Sequence, residues 1–127
     1  MKTLKKVGAV GIFVLLTVSA YSNPSRADKD HFYRVILFRW TEDVNQEAKS
    51  KVLNLFNGLL EKVEGFLGID IIDLSMSSEE FETLMILKFS SPEAADRYGE
   101  HPDHKKIREI APPLVSKFEM FEYSSSE

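Results

Sequence analysis

The chain has 127 residues, no cysteine and a formal net charge of −4 at pH 7. An acidic chain without a basic stripe repels nucleic acid phosphates and anionic lipid headgroups, so we expect neither as a partner. The absence of cysteine excludes disulfide bonds and cysteine-based zinc sites, and the length suits one ordinary domain behind an N-terminal segment.

Residues 1–22 have the order of a secretory signal peptide, because Lys2, Lys5 and Lys6 precede an uncharged apolar run that small residues follow. An uncleaved membrane anchor is the alternative, but a spanning helix needs about 20 apolar residues and this run is shorter. We therefore expect export to the periplasm or the exterior, with a mature N-terminus within residues 23–28. Residues 23–30 then form a flexible lead-in, and the cleaved protein has no membrane association.

The domain itself is predicted over residues 31–123 and opens with a strand over residues 32–40. One side of that strand carries Ile36, Phe38 and a charged residue, Arg34, while Val35 and Leu37 lie on the other. Since both sides are largely apolar, both require cover.

A long amphipathic helix is predicted over residues 44–63, with Thr41 or Asp43 as its cap and Gly65 just after its end. Two strands follow, over residues 68–75 and 82–89. A helix over residues 91–98 and a second short helix from Pro102 come next, because a serine–proline pair and a proline mark helix starts. The last strand covers residues 116–123, and residues 124–127 are expected to fray.

The order strand, helix, strand, strand, helix, strand predicts an α+β ferredoxin-like fold with a four-stranded antiparallel sheet. Helices cover one face of such a sheet and leave the other bare. Burial of one large apolar side chain contributes about 1.5–3 kcal/mol. Three or four of them in each copy outweigh an association cost of about 4–15 kcal/mol. We therefore expect a homodimer that joins sheet to sheet.

The most distinctive stretch, Tyr98-Gly99-Glu100-His101-Pro102-Asp103-His104, resembles the Tyr-x-x-His-Pro-x-His signature of the stress-responsive A/B barrel (Dabb) domain family. Residues 34–40 are similar to that family's first strand, and Ser91-Pro92-Glu93 and Phe121-Glu122-Tyr123 also fit. The likeness covers nearly the whole mature domain. It implies a dimeric α/β barrel.

The resemblance also implies roles for individual residues. A plant polyketide cyclase of the family uses the tyrosine that matches Tyr98 and the histidine that matches His104, so these two are the candidate catalytic residues. That cyclase also has a histidine on its first strand, where this chain has Arg34. Arginine stays protonated near neutral pH and cannot act as the base that histidine can be.

Arg34 is expected either to bind an anionic substrate or to pair with a carboxylate on another strand, the candidates being Asp70, Asp73, Glu82 and Glu122. The position of His101 before Pro102 favours a structural cap, and substrate binding beside Arg34 is the alternative. Two nearby histidines without an obvious third ligand do not predict a metal site.

The function favoured by these features is the binding of a small aromatic or polyketide-like acid in a pocket between the sheet and the helices. The expected apolar lining is Phe32, Ile36, Phe38, Met85 and Leu87. Two alternatives stay open: a non-catalytic structural or stress-associated dimer, and a cyclase or isomerase that works by acid–base transfer. None of the three calls for a cofactor.

Overall fold

A computed structural model describes residues 30–126, so the predicted signal peptide and most of the lead-in lie outside the described residues. Its elements in chain order are β1 (Asp30–Trp40), α1 (Gln46–Lys62), β2 (Phe66–Asp73), β3 (Thr83–Phe89), α2 (Pro92–Glu100), α3 (Pro102–Ile110), a short 3-10 helix (Pro112–Leu114) and β4 (Val115–Ser126). Within residues 30–126, every helix is too short or too polar to cross a membrane.

The four strands form one sheet in the order β2-β3-β1-β4. β3 pairs antiparallel with β1 on one side and with β2 on the other, so that Ile36 lies opposite Met85 and Ile69 lies opposite Leu87. This is the ferredoxin-like arrangement, and the predicted fold class is confirmed. A bulge between Phe66 and Gly68 lets β2 begin earlier than the sequence pattern predicts.

The helices pack on the face of the sheet that carries Ile36, Phe38 and Met85, and the hydrophobic core lies between the two layers. Leu59 from α1 and Ile107 from α3 reach this core, and both are buried. The packing follows from the helical spacing of apolar residues, which places one stripe of each helix against the sheet.

Against the opposite face of the sheet, which we call the outer face, no helix of residues 30–126 packs. Cross-strand partners share a face, so the pairs Val35–Ile86 and Leu37–Leu84 place four aliphatic side chains on this surface. Phe121, which alternates with Met120 along β4, adds an aromatic ring that is 50% exposed. The prediction that β1 carries apolar side chains on both sides is confirmed.

Two helix ends differ from the predictions. Helix α1 is capped by Asn45, whose side chain accepts the Ala48 N–H at 2.8 Å, so the prediction of Thr41 or Asp43 was wrong. The Thr41 N–H instead donates to the Leu114 carbonyl, which keeps this residue in a turn. Helix α2 extends past Gly99 to Glu100, and its C-cap is His101, the residue before Pro102.

The end of the chain also differs, because β4 continues to Ser126 although we expected residues 124–127 to fray. The Ser126 hydroxyl hydrogen-bonds to the Asp30 carboxylate, so the last strand is held against the start of the first. Asp30 itself belongs to β1 and not to the predicted lead-in.

Candidate functional site

A cavity of about 580 Å³ lies between the helix-covered face of the sheet, helices α1 to α3 and strand β4. Its wall is mostly apolar, and the lining side chains are Arg34, Ile36, Phe38, Trp40, Val52, Phe56, Met85, Tyr98, His104, Ile107, Arg108, Ala111, Pro112, Val115, Phe118 and Met120. The cavity is open beside β4, where Phe118 is 63% exposed. A volume of this size suits a small organic ligand.

Of the five apolar side chains expected in the wall, Ile36, Phe38 and Met85 line the cavity. Phe32 and Leu87 do not, and that part of the prediction was wrong. Leu87 lies completely buried in the core, and Phe32 packs against the core without reaching the cavity.

Tyr98 and His104 lie side by side in the wall, with ring centroids 4.5 Å apart and ring planes tilted by 56°. Tyr98 comes from the last turn of α2 and His104 from the first turn of α3. The tight connection between these helices brings the two rings together, since a single residue, His101, ends one helix and caps the next.

Tyr98 is the more deeply buried of the two, with 1% of its surface exposed and its ring in edge contact with Phe66 and Phe89. Burial raises the pKa of Tyr98 far above its usual value, and the charge of Arg34 offsets only part of that rise. Among the described residues its hydroxyl has no hydrogen-bond partner. The phenol therefore keeps its proton at neutral pH and is available to a ligand.

His104 is partly buried, and its pKa lies below the ordinary histidine value because burial, then Arg108 and then Arg34 disfavour the charged ring. The backbone of Gly99 has a smaller, opposite effect. The Nδ1 atom lacks a partner of good hydrogen-bond geometry among the described residues. His104 is thus mainly neutral at pH 7 and can accept a proton.

Arg34 pairs with a carboxylate, as one of the two expectations had it. Its Nε donates to Glu122 Oε2 at 2.8 Å, and Nη2 lies 2.6 Å from the same oxygen. The guanidinium also lies over two rings, 5.7 Å from the centroid of Tyr98 and 6.0 Å from that of Phe89. Arg34 still contributes to the cavity wall, so it is a paired charge at the edge of the site.

His101 lies outside the cavity wall. Its Nδ1 accepts the Asp103 N–H at 3.0 Å, which caps α3 in the way that a serine or aspartate commonly does. The structure thus gives this residue a structural partner, and the substrate-binding assignment has no geometric support. The Lys62–Asp103 ion pair, at 2.7 Å, fixes the same corner to α1.

The sequence reasoning missed Arg108, which lines the cavity from α3. It lies one helical turn after His104, and residues four apart share a helix face. That spacing was the available signal. No hydrogen bond or ion pair joins the Arg108 side chain to another described residue.

Every polar side chain in the cavity wall can donate a hydrogen bond: the two arginines, Trp40, Tyr98 and His104. No carboxylate is among the lining residues. In the part of the chain that the structure covers, no group of three or more His, Cys, Asp or Glu side chains could hold a metal ion. The arrangement therefore suits an apolar ligand with acceptor atoms, and it contains one proton donor beside one potential base.

The sequence model of the stress responsive A/B barrel domain family matches residues 32–125. No curated protein matches the sequence. A Dabb family protein with a ferredoxin-like fold from Mesorhizobium loti MAFF303099 is 19% identical, and the match covers 74% of this chain and 95% of that one with a TM-score of 0.63.

Two further solved structures are similar. A dimeric ferredoxin-like protein of unknown function from Thermobifida fusca YX is 16% identical over 76% of this chain and 92% of its own, with a TM-score of 0.64. A hydroxynitrile lyase from Passiflora edulis is 10% identical over 78% and 96%, with a TM-score of 0.70. At such identities the likeness establishes the fold.

Proposed function

The chain belongs to the stress responsive A/B barrel domain family, and from this premise we propose that it is an exported homodimer whose cavity binds a small aromatic or polyketide-like acid. The resemblance inferred from Tyr98 to His104 is confirmed at the level of the family. The single observation that carries the ligand class is the cavity wall, which is apolar and whose polar side chains are all hydrogen-bond donors.

The outer face supports the homodimer. It carries apolar side chains that the described part of the chain leaves exposed, among them Ile72 at 42% exposure and Phe121 at 50%. Large exposed apolar patches normally mark interfaces. Solved relatives of the same fold, from Thermobifida fusca and Bacteroides fragilis, are described as dimeric. Two outer faces packed together would form the barrel that gives the family its name.

The cavity wall supports an acidic ligand. An aromatic body would pack against side chains such as Phe38, Phe56 and Met85, while its acceptor atoms would meet the hydrogen-bond donors of the wall. Hydrogen bonds to a charged acceptor contribute about 1.5–3 kcal/mol, more than those to a neutral one. A carboxylate is thus favoured over an amide of the same shape.

Calorimetric titration of cinnamate and its amide, cinnamamide, tests this proposal on the processed protein. We expect cinnamate to bind at least about tenfold more tightly, which corresponds to about 1.4 kcal/mol. Arg34→Ala should weaken both ligands, because it removes part of the wall that they share. Equal affinity of the wild type for both compounds, or no binding of either, would overturn the proposed ligand class.

Acid–base catalysis is the second candidate, and the contact between Tyr98 and His104 favours it. A neutral imidazole can take a proton from the carbon next to a ligand carbonyl while the phenol donates a hydrogen bond to that carbonyl oxygen. Deuterium exchange of an aryl ketone in D₂O, followed by NMR, measures this step. We expect faster exchange with the wild type than with His104→Asn or Tyr98→Phe.

Exchange at the buffer rate would argue against a cyclase or isomerase. If acid binding were absent as well while the dimer persisted, the non-catalytic structural dimer would be the better description. The calorimetric titration and the deuterium exchange are carried out on the same protein. Their combined outcomes distinguish acid binding, acid–base catalysis and a purely structural dimer.

Export is proposed from the sequence of residues 1–22 alone. N-terminal sequencing of the protein recovered from the periplasm or the medium should find a start within residues 23–28. Recovery of the chain in the membrane fraction with Met1 intact would instead support the anchor.

A further inference from the structure

The two arginines in the cavity wall differ in their electrostatic state. Arg34 is neutralised by Glu122, whose Oε2 lies 2.6 Å from Nη2, and its guanidinium packs over Tyr98. Arg108 forms no ion pair or hydrogen bond with any other described side chain. The site therefore carries one uncompensated positive charge, and that charge belongs to Arg108.

The two arginines also differ in position. Arg108 is exposed to solvent and also lines the cavity, so it lies at the opening, whereas Tyr98 is 1% exposed and lies deep. His104 lies between them in the chain, one turn before Arg108 on the same face of α3. An anionic group that entered between His104 and Arg108 would meet a charge without having to displace an existing partner.

An anionic group at Arg34 would face a higher cost. It would have to displace Glu122 from a contact that is already of hydrogen-bond length, or approach that carboxylate and be repelled by it. The pair is partly shielded from solvent, since 18% of the Arg34 side chain and 35% of the Glu122 side chain are exposed. Like charges in such a setting repel more strongly than in bulk water.

We propose that Arg108 binds the carboxylate of the ligand at the cavity opening, and that Arg34 is a neutralised wall residue that positions the Tyr98 phenol. This inference rests on the proposed function, and it defines the substrate class further. The ligand is an acid whose apolar body enters first, past Phe56 and towards Met85, with its carboxylate left at the opening. An acceptor on the far part of that body would reach Tyr98.

Cinnamate and cinnamamide distinguish the two arginines. Arg108→Ala should lower the affinity for cinnamate about tenfold and change the affinity for cinnamamide by no more than about twofold. The variant would thus lose the preference for the acid. Arg108→Lys should restore most of the preference, because lysine keeps the charge. Lys105→Ala is the matched control: it removes one positive charge from an exposed position of the same helix outside the cavity wall, and both affinities should stay unchanged.

Glu122→Gln provides an independent test that does not depend on loss of binding. It frees the Arg34 charge, so cinnamate should bind several-fold more tightly while cinnamamide does not change. Circular dichroism and thermal unfolding of each variant establish that it is folded.

Three outcomes separate the two proposals. If the wild type prefers cinnamate, Arg108→Ala keeps that preference and Arg34→Ala abolishes it, this inference is wrong and the proposed function stands. If the wild type binds neither compound, the proposed ligand class and the proposed role of Arg108 are both wrong. If the preference is lost with Arg108→Ala alone and increased salt weakens only cinnamate, Arg108 is the anchor, because exposed charges are screened by salt.

Discussion

The imidazole of His104 packs against the phenol of Tyr98, with a centroid separation of 4.5 Å, although the two residues belong to different helices. Burial and the nearby arginines lower the pKa of this imidazole, so the neutral ring is the favoured form in the folded protein. The lowered pKa of His104 therefore makes the stability of the fold depend on pH.

Stability should fall on acidification because of His104. The pKa of His104 is lower in the folded protein than the ordinary 6.5, so the unfolded chain binds more protons between these two values. The contribution of the neutral His104 ring to the free energy of unfolding is thus complete above pH 6.5. It is lost as the pH falls towards the pKa of His104 in the folded protein. Urea unfolding measures this effect. Between pH 7.5 and pH 5.5 the free energy of unfolding should fall more for the wild type than for His104→Gln.

An NMR titration of the imidazole checks the same cause directly. A titration midpoint of His104 at or above 6.5 in the folded protein would contradict the prediction, whatever the unfolding data show.

The ion pair between Arg34 and Glu122 should contribute to stability in a strongly non-additive way. Glu122→Ala leaves the guanidinium of Arg34 without its partner in a largely shielded place. We expect the free energy of unfolding to fall by about 1–3 kcal/mol. This is less than for a fully buried pair, because both side chains are partly exposed. Arg34→Met together with Glu122→Leu should recover part of that loss. A double-mutant cycle measured by urea unfolding gives the coupling, and purely additive losses would show that the pair contributes nothing.

Gly65 should be irreplaceable at the turn between α1 and β2. Its φ is +89°, and a Cβ added there would lie 2.6 Å from the Ala94 Cβ. We expect Gly65→Ala to cost about 1–3 kcal/mol, from the backbone conformation and the clash together. Gly58→Ala is the matched control, because a Cβ at this helical position meets nothing within 4 Å. That variant should be neutral or stabilising by up to about 1 kcal/mol, as measured by thermal unfolding.

The order of the elements could be predicted from the sequence because each has a local signal. The aromatic and β-branched residues of β1, the helical spacing in α1 and the serine–proline start of α2 are read within a few residues. The cap of α1 could not be read in this way. Several polar residues precede α1, and only the structure shows that Asn45 is the one that caps it, while the Thr41 N–H donates to the distant Leu114 carbonyl.

The site was predictable only in part. The family signature predicted Tyr98 and His104 as site residues. The apolar first strand drew attention to its one charge, Arg34, and Glu122 was among the predicted partners of that charge. Alternation along a strand predicts the face of a side chain but not how deeply the helices cover it, so Leu87 was placed in the cavity wall although it lies in the core. Arg108 was missed because an arginine on a short helix normally faces solvent, and its spacing from His104 became informative only once the fold showed that this face of α3 borders the cavity.

A charge on the outer face should dissociate the dimer. Phe121 is 50% exposed in the single chain and lies on the outer face, so Phe121→Glu would bury an unpaired carboxylate between two sheets of the proposed dimer. An uncompensated buried charge costs several kcal/mol, which is comparable to the net stability of many dimers. Sedimentation velocity at micromolar concentration should give a dimer for the wild type and a folded monomer for the variant.

Met76→Glu is the matched control. Met76 is 81% exposed in the connection between β2 and β3, so the variant adds the same charge away from the sheet and should leave the dimer intact. A wild type that sediments as a monomer, or a Phe121→Glu variant that remains dimeric, would show that the outer face is not the interface.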